Sequence, residues 1–450
     1  MAQIIVVLAI YLAVMLVIGV YGKKYAGNFS DYLTAAKQST VIMIIGTGIG
    51  AHIGSGFVIG GAESAANNGF GGIWYGVGCG LSYLIFAATV AGLINRKGYV
   101  TLSDYFGERY KDKSTQLIYS VSTTFAYLGI LAAQIMAGKA LFEGFGISGT
   151  VGAIVTTVVV LIYASMSGLW GAYMTSVIQT LIIMFGIVAA AVFILAKGGW
   201  GVITANLEPN MFKFVPFDGS TWIMLFLPVA LANFTDQGNF QRAASAKTDR
   251  VAVIGHIIAG LMMVPLAFVP VIIGMYGAAA YPDATPASIF FTVILGEFPA
   301  ILAAILVAAV LSAIMSTADM SFLAISATVV HDIYSGMINK NASEAQLKKM
   351  ATVLNIIVCV AALSMALVFT NIISLLSMTY SFMVAGCMIP FLGGLLWKKG
   401  NHKGAIASAA VGIILTLLDS FGIISIPFAS LVTLIPVTIV YIAVSLATQK

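Results

Sequence analysis

The sequence contains little charge for its length. Of its 450 residues, 8% are charged and 60% are hydrophobic, and the mean hydropathy is +1.04. A soluble globular protein carries about 25% charged residues, so this composition excludes a soluble domain with one buried core. Apolar surface that faces lipid accounts for the excess. We therefore expect an all-α polytopic membrane protein whose single transmembrane domain covers residues 1–450.

Cysteines and catalytic motifs are also scarce. The three cysteines, Cys79, Cys359 and Cys387, lie in apolar segments without CxxC spacing, which argues against a disulfide framework and a zinc site. The sequence contains no P-loop, zinc-protease motif or nucleophile elbow, so we do not expect an enzyme. The segment 2–21 lacks a basic start and an A-x-A-like cleavage site. It is therefore interpreted as a first membrane helix and not as a signal peptide.

Long apolar runs fill most of the chain. A membrane-spanning helix needs about 20 mostly apolar residues, and thirteen runs satisfy this length. They are 2–21, 40–64, 72–95, 114–142, 148–167, 170–197, 221–242, 251–277, 297–330, 348–370, 372–397, 403–422 and 425–447. The alternation over about 10 residues that characterises β-barrel strands does not occur.

The distribution of basic residues predicts the orientation of these helices. If the N-terminus lies outside, all of the 21 Lys and Arg residues except Lys139, Lys197 and Lys213 fall on the cytoplasmic side. Cytoplasmic loops of membrane proteins carry an excess of Lys and Arg. The charges therefore predict thirteen helices, an outer N-terminus and a cytoplasmic C-terminus.

Two of the predicted helices contain unusual segments. Five glycines occur within Gly46–Gly56. Each glycine destabilises a helix by roughly 1 kcal/mol relative to alanine, which predicts a break in the second helix. Close packing against a neighbouring helix is the alternative explanation for these glycines. The polar run Asn233–Asn239 needs a cavity or protein partners at membrane depth. The two helices are five apart, which predicts two five-helix inverted repeats, 40–197 and 221–397. The segments 2–21 and 403–447 would then be additional helices.

Two adjacent hydroxyls, Ser316 and Thr317, lie in the ninth predicted helix. Hydroxyls and backbone carbonyls are hard oxygen ligands that suit a sodium ion without burying a carboxylate. Ala313 lies one turn earlier, so its carbonyl would lie beside them. A hydroxyl in a membrane helix more commonly bonds back to such a carbonyl without any ion, and both readings remain open from these residues alone.

Several motifs resemble one transporter family. Residues 311–334, with the sequence LSAIMSTADMSFLAISATVVHDIY, resemble the signature helix of the sodium:solute symporters. The loop Gly98–Phe106 with Arg109 and Tyr110 is similar to the loop after the third helix of that family. Further similarities are Gln237, Gln241 and Arg242 at the end of the seventh helix, and Pro390, Gly394, Trp397, Lys398, Lys399, Gly404 and Ala405. The resemblance covers roughly residues 25 to 410 and is greatest to the choline and proline branches.

This resemblance implies a fold like that of the leucine transporter (LeuT), with about thirteen helices and a 5+5 inverted repeat. It also implies a sodium site between the second and ninth helices. The ligands carried over by position are the carbonyls of Gly50, Ile53 and Ala313 and the hydroxyls of Ser316 and Thr317. Ser176 stands where many members have an aspartate, so we expect one sodium ion for each solute.

The solute site is expected between the two broken helices. Position in the family implies that His52, Ser55, Phe57, Asp236 and Gln237 line it. A structural histidine and a salt-bridged or protonated aspartate are the alternatives for His52 and Asp236. Arg242 is six residues from Asp236, and a helix of that length spans about 9 Å. We therefore expect the partner of Asp236 to be His52 or an ammonium group of the solute.

The function expected from these features is sodium-coupled symport of a small polar solute, an amino acid or amine-bearing molecule, into the cell. A proton-coupled transporter that uses His52 and Asp236, and a channel or sensor of the same fold, are the alternatives. The expected partners are the solute, Na⁺ as the coupling ion and the lipid bilayer, with no other cofactor and no nucleic acid. We expect a monomer or weak homo-oligomer in the bacterial inner (plasma) membrane.

Overall fold

A computed structural model shows a bundle of helices. It describes residues 35–164, 169–215 and 220–449, together with residue 33 and residues 6–7, 10–15 and 17–18 of the first predicted span. Within these residues the β-structure amounts to one isolated bridge between Ser39 and Ala246. The all-α fold class predicted from the hydropathy is confirmed.

The α-helices, in chain order, are α1 (Val41–His52), α2 (Gly61–Asn68), α3 (Trp74–Phe86), α4 (Gly92–Lys97), α5 (Leu102–Tyr110), α6 (Lys113–Gly144), α7 (Gly149–Ala164), α8 (Leu169–Ala196), α9 (Gly199–Asn206), α10 (Thr221–Ala232), α11 (Gln237–Ser245), α12 (Asp249–Leu266), α13 (Phe268–Ala280), α14 (Ile289–Glu297), α15 (Ala300–Ile325), α16 (Glu344–Val368), α17 (Ile372–Met383), α18 (Ile389–Leu396), α19 (His402–Ser420), α20 (Ala429–Val432) and α21 (Leu434–Ala447). Wider π-helical turns continue several of them, at Gly56–Gly60, Ala87–Ala91, Ser326–Ile338 and Val384–Met388.

Many of these helices are long and apolar enough to cross a membrane. Among the described residues nine helical segments satisfy that criterion, and four shorter apolar helices accompany them. Two of the shorter ones, Val41–His52 and Trp222–Thr235, are halves of the predicted broken helices. The number of thirteen spans and the division into repeats 40–197 and 221–397 stay predictions.

Both predicted helix breaks are present. In the first of the two broken helices, α1 ends at His52, and Ile53 leaves the helical conformation with φ −80° and ψ 53°. In the second, one 3-10 turn at Asn233–Thr235 ends the helix, and Asp236 is extended before α11 begins. Glycine, which favours no single backbone conformation, accounts for the first break. Asp236 causes the second by capping the new helix.

Helix α15 is the centre of the bundle. Its residues from Ser312 to Ile325 are all buried, and it packs against α1, α6 and α8. Apolar side chains on the outer helices are exposed instead, for example Leu181 and Phe185 of α8. Exposed apolar side chains are what a lipid-facing surface requires. The broken helix α1 therefore lies against a fully enclosed partner, which keeps the oxygen atoms between them away from bulk water.

Only part of the first predicted span is described, and those residues are helical. Its Tyr11 and Met15 pack against Ala308 and Met315 of α15. Lys23, Lys24 and Lys450, which contribute to the charge argument for orientation, lie outside the described residues.

Candidate functional site

The break after α1 exposes carbonyl groups at the centre of the bundle. The last four carbonyls of an α-helix have no partner within the helix. The Ile49 carbonyl accepts the N–H of Ile53 at 2.7 Å, which leaves Gly50 and Ala51 to find partners elsewhere. The C-terminal end of a helix also carries a partial negative charge that favours a cation. This end of α1 is therefore suited to hold a positive ion.

The two hydroxyls of α15 meet these carbonyls. The Ser316 hydroxyl is 2.6 Å from the Gly50 carbonyl and 3.2 Å from the Ala313 carbonyl. The Thr317 hydroxyl is 3.0 Å from the Ala51 carbonyl and 2.9 Å from the Ala313 carbonyl. Ordinary back-bonding of helical hydroxyls explains the contacts to Ala313. Back-bonding does not explain the contacts of the two hydroxyls with α1. These contacts bring five oxygen atoms together between α1 and α15: the carbonyl oxygens of Gly50, Ala51 and Ala313 and the hydroxyl oxygens of Ser316 and Thr317.

Four of the five predicted sodium ligands therefore lie in one group: Gly50, Ala313, Ser316 and Thr317. Ile53 is buried in the break next to them, and a role for its carbonyl stays a prediction. The carbonyl of Ala51 joins the group although the sequence analysis did not single it out. Its position among the last carbonyls of a broken helix is the signal that could have identified it.

A small cavity adjoins this oxygen group. Its volume is about 30 Å³, which suffices for a water molecule but not for an organic solute. The cavity has walls from both broken helices and from α3, α6, α15 and α17. The lining residues are Ala51, His52, Gly54, Gly56, Tyr75, Tyr127, Ile130, Gln134, Asp236, Arg242, Thr317, Met320, Ser321, Leu376 and Tyr380. Because Thr317 and Ala51 belong to both features, the cavity and the oxygen group share a wall.

Asp236 is buried in this cavity and is fully bonded. One carboxylate oxygen accepts the Tyr127 hydroxyl at 2.7 Å, and the other accepts the Asn239 backbone N–H at 2.6 Å. The second contact makes Asp236 the N-cap of α11, a position that favours a negative charge. Arg242 completes the environment, with its Nη2 atom 3.6 Å from the carboxylate.

The expectation that Arg242 is too distant from Asp236 is wrong. The rise along six helical residues separates the two backbone positions by about 9 Å. Helical side chains, however, point back towards the N-terminus of their own helix, so Arg242 reaches from the second turn of α11 to its cap. Asp236 therefore has a positive partner within the protein and does not need His52 or a solute ammonium group.

His52 lines the cavity as predicted. Its Nδ1 atom is 2.9 Å from the Tyr83 hydroxyl, and the two rings pack edge to face with centroids 4.8 Å apart. The hydroxyl of Tyr83 also lies 3.2 Å from the Gly48 carbonyl. Tyr83 thus holds the imidazole at the end of α1, so one ring nitrogen of His52 is already committed to a structural contact.

The other three residues predicted to line the solute site do not line this small cavity, and their contact with a solute stays a prediction. Gln237 points away from the cavity, because its side chain bonds the backbone of Val100 and Leu102 at 3.0 and 2.9 Å. Ser55 and Phe57 are buried beside the cavity without forming its wall. Gly54 and Gly56 form that part of the wall instead.

Two further contacts tie the elements around the cavity together. The Asn371 side chain donates to the buried Glu63 carboxylate at 2.5 Å, which ties α2 to the start of α17. The Gln237 side chain bonds the backbone of Val100 and Leu102, which ties α11 to the loop before α5. These three residues are not part of the cavity wall, whereas Tyr75 and Tyr380 are.

Gly54→Ala is expected to weaken sodium binding at least tenfold, about 1.4 kcal/mol. A Cβ atom at Gly54 would lie 2.5 Å from the Thr317 hydroxyl oxygen, so that hydroxyl must move. A sodium titration followed by thermal unfolding measures the effect. Gly92→Ala is the matched control, because its Cβ would meet no heavy atom closer than 3.5 Å. Equal sodium affinities in the two variants would contradict a role for the Thr317 hydroxyl.

Comparison with known proteins gives a consistent result. The model of the sodium:solute symporter family matches residues 32–412. The sodium/pantothenate and sodium/proline symporters of Escherichia coli K12 are each 25% identical to the chain. The matches cover 92% of this chain and 89% and 87% of those proteins. The high-affinity choline transporter 1 of Caenorhabditis elegans is 24% identical over 94% of this chain and 79% of its own length.

Solved structures show the same fold. A Na⁺-coupled sialic acid symporter in a substrate-bound, outward-open state superposes with a TM-score of 0.84 at 20% identity, covering 99% of this chain and 98% of that one. Mhp1, a nucleobase-cation-symport-1 family transporter, gives a TM-score of 0.60 at 13% identity over 92% and 93% of the two chains. These likenesses confirm the LeuT-like fold class. Because the family model spans most of the sequence, the chain belongs to the sodium:solute symporter family.

Proposed function

We propose that this protein couples sodium binding to the symport of a small polar organic solute by alternating access. The observation that carries the proposal is the group of oxygen atoms between the end of α1 and α15, directly beside the central cavity. Membership of a sodium:solute symporter family supports it. The sodium ligands proposed are the carbonyls of Gly50, Ile53 and Ala313 and the hydroxyls of Ser316 and Thr317.

The wall shared by the oxygen group and the cavity can couple sodium binding to solute binding. A sodium ion held by Gly50, Ser316 and Thr317 would fix the end of α1 against α15. The same contact would fix Ala51 and Thr317, which form one side of the cavity. An ion that orders this wall favours solute binding, and by thermodynamic reciprocity the solute raises the affinity for sodium to the same degree.

The direction of transport follows from the sodium gradient, because a symporter moves the ion and the solute the same way. An inward sodium gradient across a bacterial plasma membrane would therefore carry the solute into the cell, and the basic loops propose an outer N-terminus and a cytoplasmic C-terminus. Amino acids remain candidates, since proline symporters are among the similar proteins. The specific argument for an amine, which used an unpaired Asp236, no longer supports the choice.

Two other functions of the same fold are weaker proposals. Proton coupling would use His52 and Asp236, yet Asp236 is bonded to Tyr127 and Asn239 and paired with Arg242. Both carboxylate oxygens are therefore already occupied within the protein, which weakens the proton proposal. A channel or sensor is weaker because the family model that matches the chain is one of symporters.

Uptake into proteoliposomes tests the proposal. Radiolabelled proline, pantothenate, choline and sialic acid are the probes, because similar proteins are named for these solutes. We expect an inward sodium gradient to drive accumulation of a probe, and a potassium gradient of equal size to drive none. The Hill coefficient for sodium should be near one, because Ser176 supplies no carboxylate for a second ion.

Measurements at two external pH values separate the coupling ions. Uptake that follows the proton gradient in sodium-free buffer would contradict sodium coupling. Downhill flux without accumulation in either gradient would indicate a channel, and a reproducible Hill coefficient of two would overturn the single-sodium proposal.

A further inference from the structure

Arg242 has donor capacity that the protein does not use. Its side chain is 1% exposed and lines the central cavity. The Nη2 atom donates to the Asn239 side chain at 2.7 Å and faces Asp236 at 3.6 Å. The Nε and Nη1 atoms have no hydrogen-bond partner among the described residues. A guanidinium carries five N–H bonds, and these two nitrogens hold three of them.

Unpaired donors on a buried charge are unfavourable. Leaving a buried polar group without a partner costs about 1–3 kcal/mol, and more for a charged group. Buried polar groups in native proteins are therefore nearly always bonded, and an exception calls for an explanation. The aromatic ring of Tyr83, whose centroid is 5.8 Å from the Arg242 guanidinium carbon, stabilises the charge without accepting these N–H bonds.

Among the residues that line the cavity, Arg242 is the one with buried side-chain atoms that have no hydrogen-bond partner. Both carboxylate oxygens of Asp236 accept hydrogen bonds. The Gln134 side chain accepts from the Ser55 N–H at 3.3 Å and donates to the Ile130 carbonyl at 3.2 Å. The Nδ1 atom of His52 is occupied by Tyr83. The uncommitted polar atoms of Arg242 are donors, so the complementary ligand is an acceptor.

We propose that the transported solute carries a carboxylate group and that Arg242 is the residue that binds it. A guanidinium and a carboxylate form strong charge-assisted hydrogen bonds. Asp236 lies 3.6 Å from the guanidinium and would repel a dianion more strongly than a monoanion, which favours a carboxylate over a phosphate. This inference rests on the proposed symport and names the chemical class of its solute, in place of the amine expected from the sequence.

The walls around Arg242 fit the rest of such a solute. Tyr127, Tyr75, Tyr380 and Leu376 provide a largely apolar surface with a few hydroxyls. The cavity must widen to admit the solute, and Leu376 and Tyr380 lie on α17, which the Glu63–Asn371 contact ties to α2. A small acid with an apolar or hydroxylated body matches this surface, with its carboxylate directed towards α11.

Matched pairs of probes test the inference by thermal shift in saturating sodium. The pairs are L-proline and L-prolinamide, pantothenate and panthenol, and sialic acid and its methyl ester; choline is the cationic probe. We expect at least one acid to stabilise the protein and to bind at least tenfold more tightly than its counterpart without a carboxylate, about 1.4 kcal/mol. Binding of choline alone, equal binding of an acid and its counterpart, or no binding by any acid would overturn the inference.

A double variant that removes one positive and one negative charge tests whether Arg242 is the residue that binds the carboxylate. Asp236→Asn combined with Arg242→Gln removes both charges, so that no unpaired ion remains in the bundle. The variant should keep the shift caused by sodium alone and lose the preference for the acid. Arg109→Gln is the control, because the Arg109 guanidinium lies outside the cavity and bonds the Gly394 and Trp397 carbonyls at 2.7 and 2.9 Å.

The outcomes distinguish this inference from the proposed function. If sodium stabilises the protein but only neutral or cationic probes bind, the symport proposal stands and the carboxylate inference fails. If sodium has no effect with any probe, the proposed function itself fails. An acid preference that survives in the double variant would overturn the assignment to Arg242. If that variant is not folded, the comparison of matched probes on the unaltered protein still decides the solute class.

Discussion

Replacing Ser316 and Thr317 together with alanine is expected to abolish the stabilisation of the protein by sodium. The change removes two of the five oxygen atoms grouped between α1 and α15. A ligand at 100 times its Kd stabilises the folded state by about 2.7 kcal/mol. At a sodium concentration of 100 times the Kd, the free energy of unfolding of the unaltered protein should therefore rise by about 2.7 kcal/mol. The free energy of unfolding of the variant should not change. Thermal unfolding in sodium and in potassium at equal ionic strength measures the difference.

The control for this variant is Ser312→Ala. Ser312 is a buried hydroxyl on the same helix, one turn earlier, and it bonds the Ala308 carbonyl and the Tyr11 hydroxyl. Its loss should lower the stability equally in sodium and potassium, because it does not touch α1. A sodium-dependent shift that persists in the Ser316/Thr317 variant would show that the ion binds elsewhere. The two hydroxyls would then have a structural role only.

The breaks in the helices could be predicted because their causes are local. Repeated glycines between Gly46 and Gly56, and a polar run ending at Asn239, each disfavour a continuous apolar helix within a few residues of sequence. The position of the oxygen group between α1 and α15 follows from the first of these breaks, since an interrupted helix necessarily exposes its last carbonyls. Ala51 was missed because the sequence does not specify the residue at which α1 ends.

The lining of the cavity could be predicted only in part. His52 and Asp236 adjoin the breaks and therefore face the cavity, whereas Gln237 is turned by the first turn of α11 towards the loop at Val100. Tyr127 and Gln134 come from α6, which the sequence analysis did not connect with the site. They belong to a long apolar helix without local irregularity, so only the tertiary packing reveals their role.

Asp236→Asn is expected to destabilise the protein by about 3–5 kcal/mol, the usual effect of removing one partner of a buried ion pair. Asparagine is as good an N-cap as aspartate, so the cap of α11 should remain. The loss instead comes from Arg242, which is 1% exposed and would keep its charge without a counter-charge. Arginine is never deprotonated in proteins, so this variant cannot escape the penalty by changing its ionisation.

Arg242→Gln should lower the stability less, because Tyr127 and the Asn239 backbone N–H remain bonded to the Asp236 carboxylate. The double variant should be more stable than the sum of the two single losses, since it leaves no unpaired charge. Unfolding free energies of the four proteins, measured in one detergent, give the interaction energy between the two residues. Additive losses would show that the 3.6 Å contact contributes nothing to stability. The loss in Asp236→Asn would then have to come from the contacts of its carboxylate with Tyr127 and Asn239.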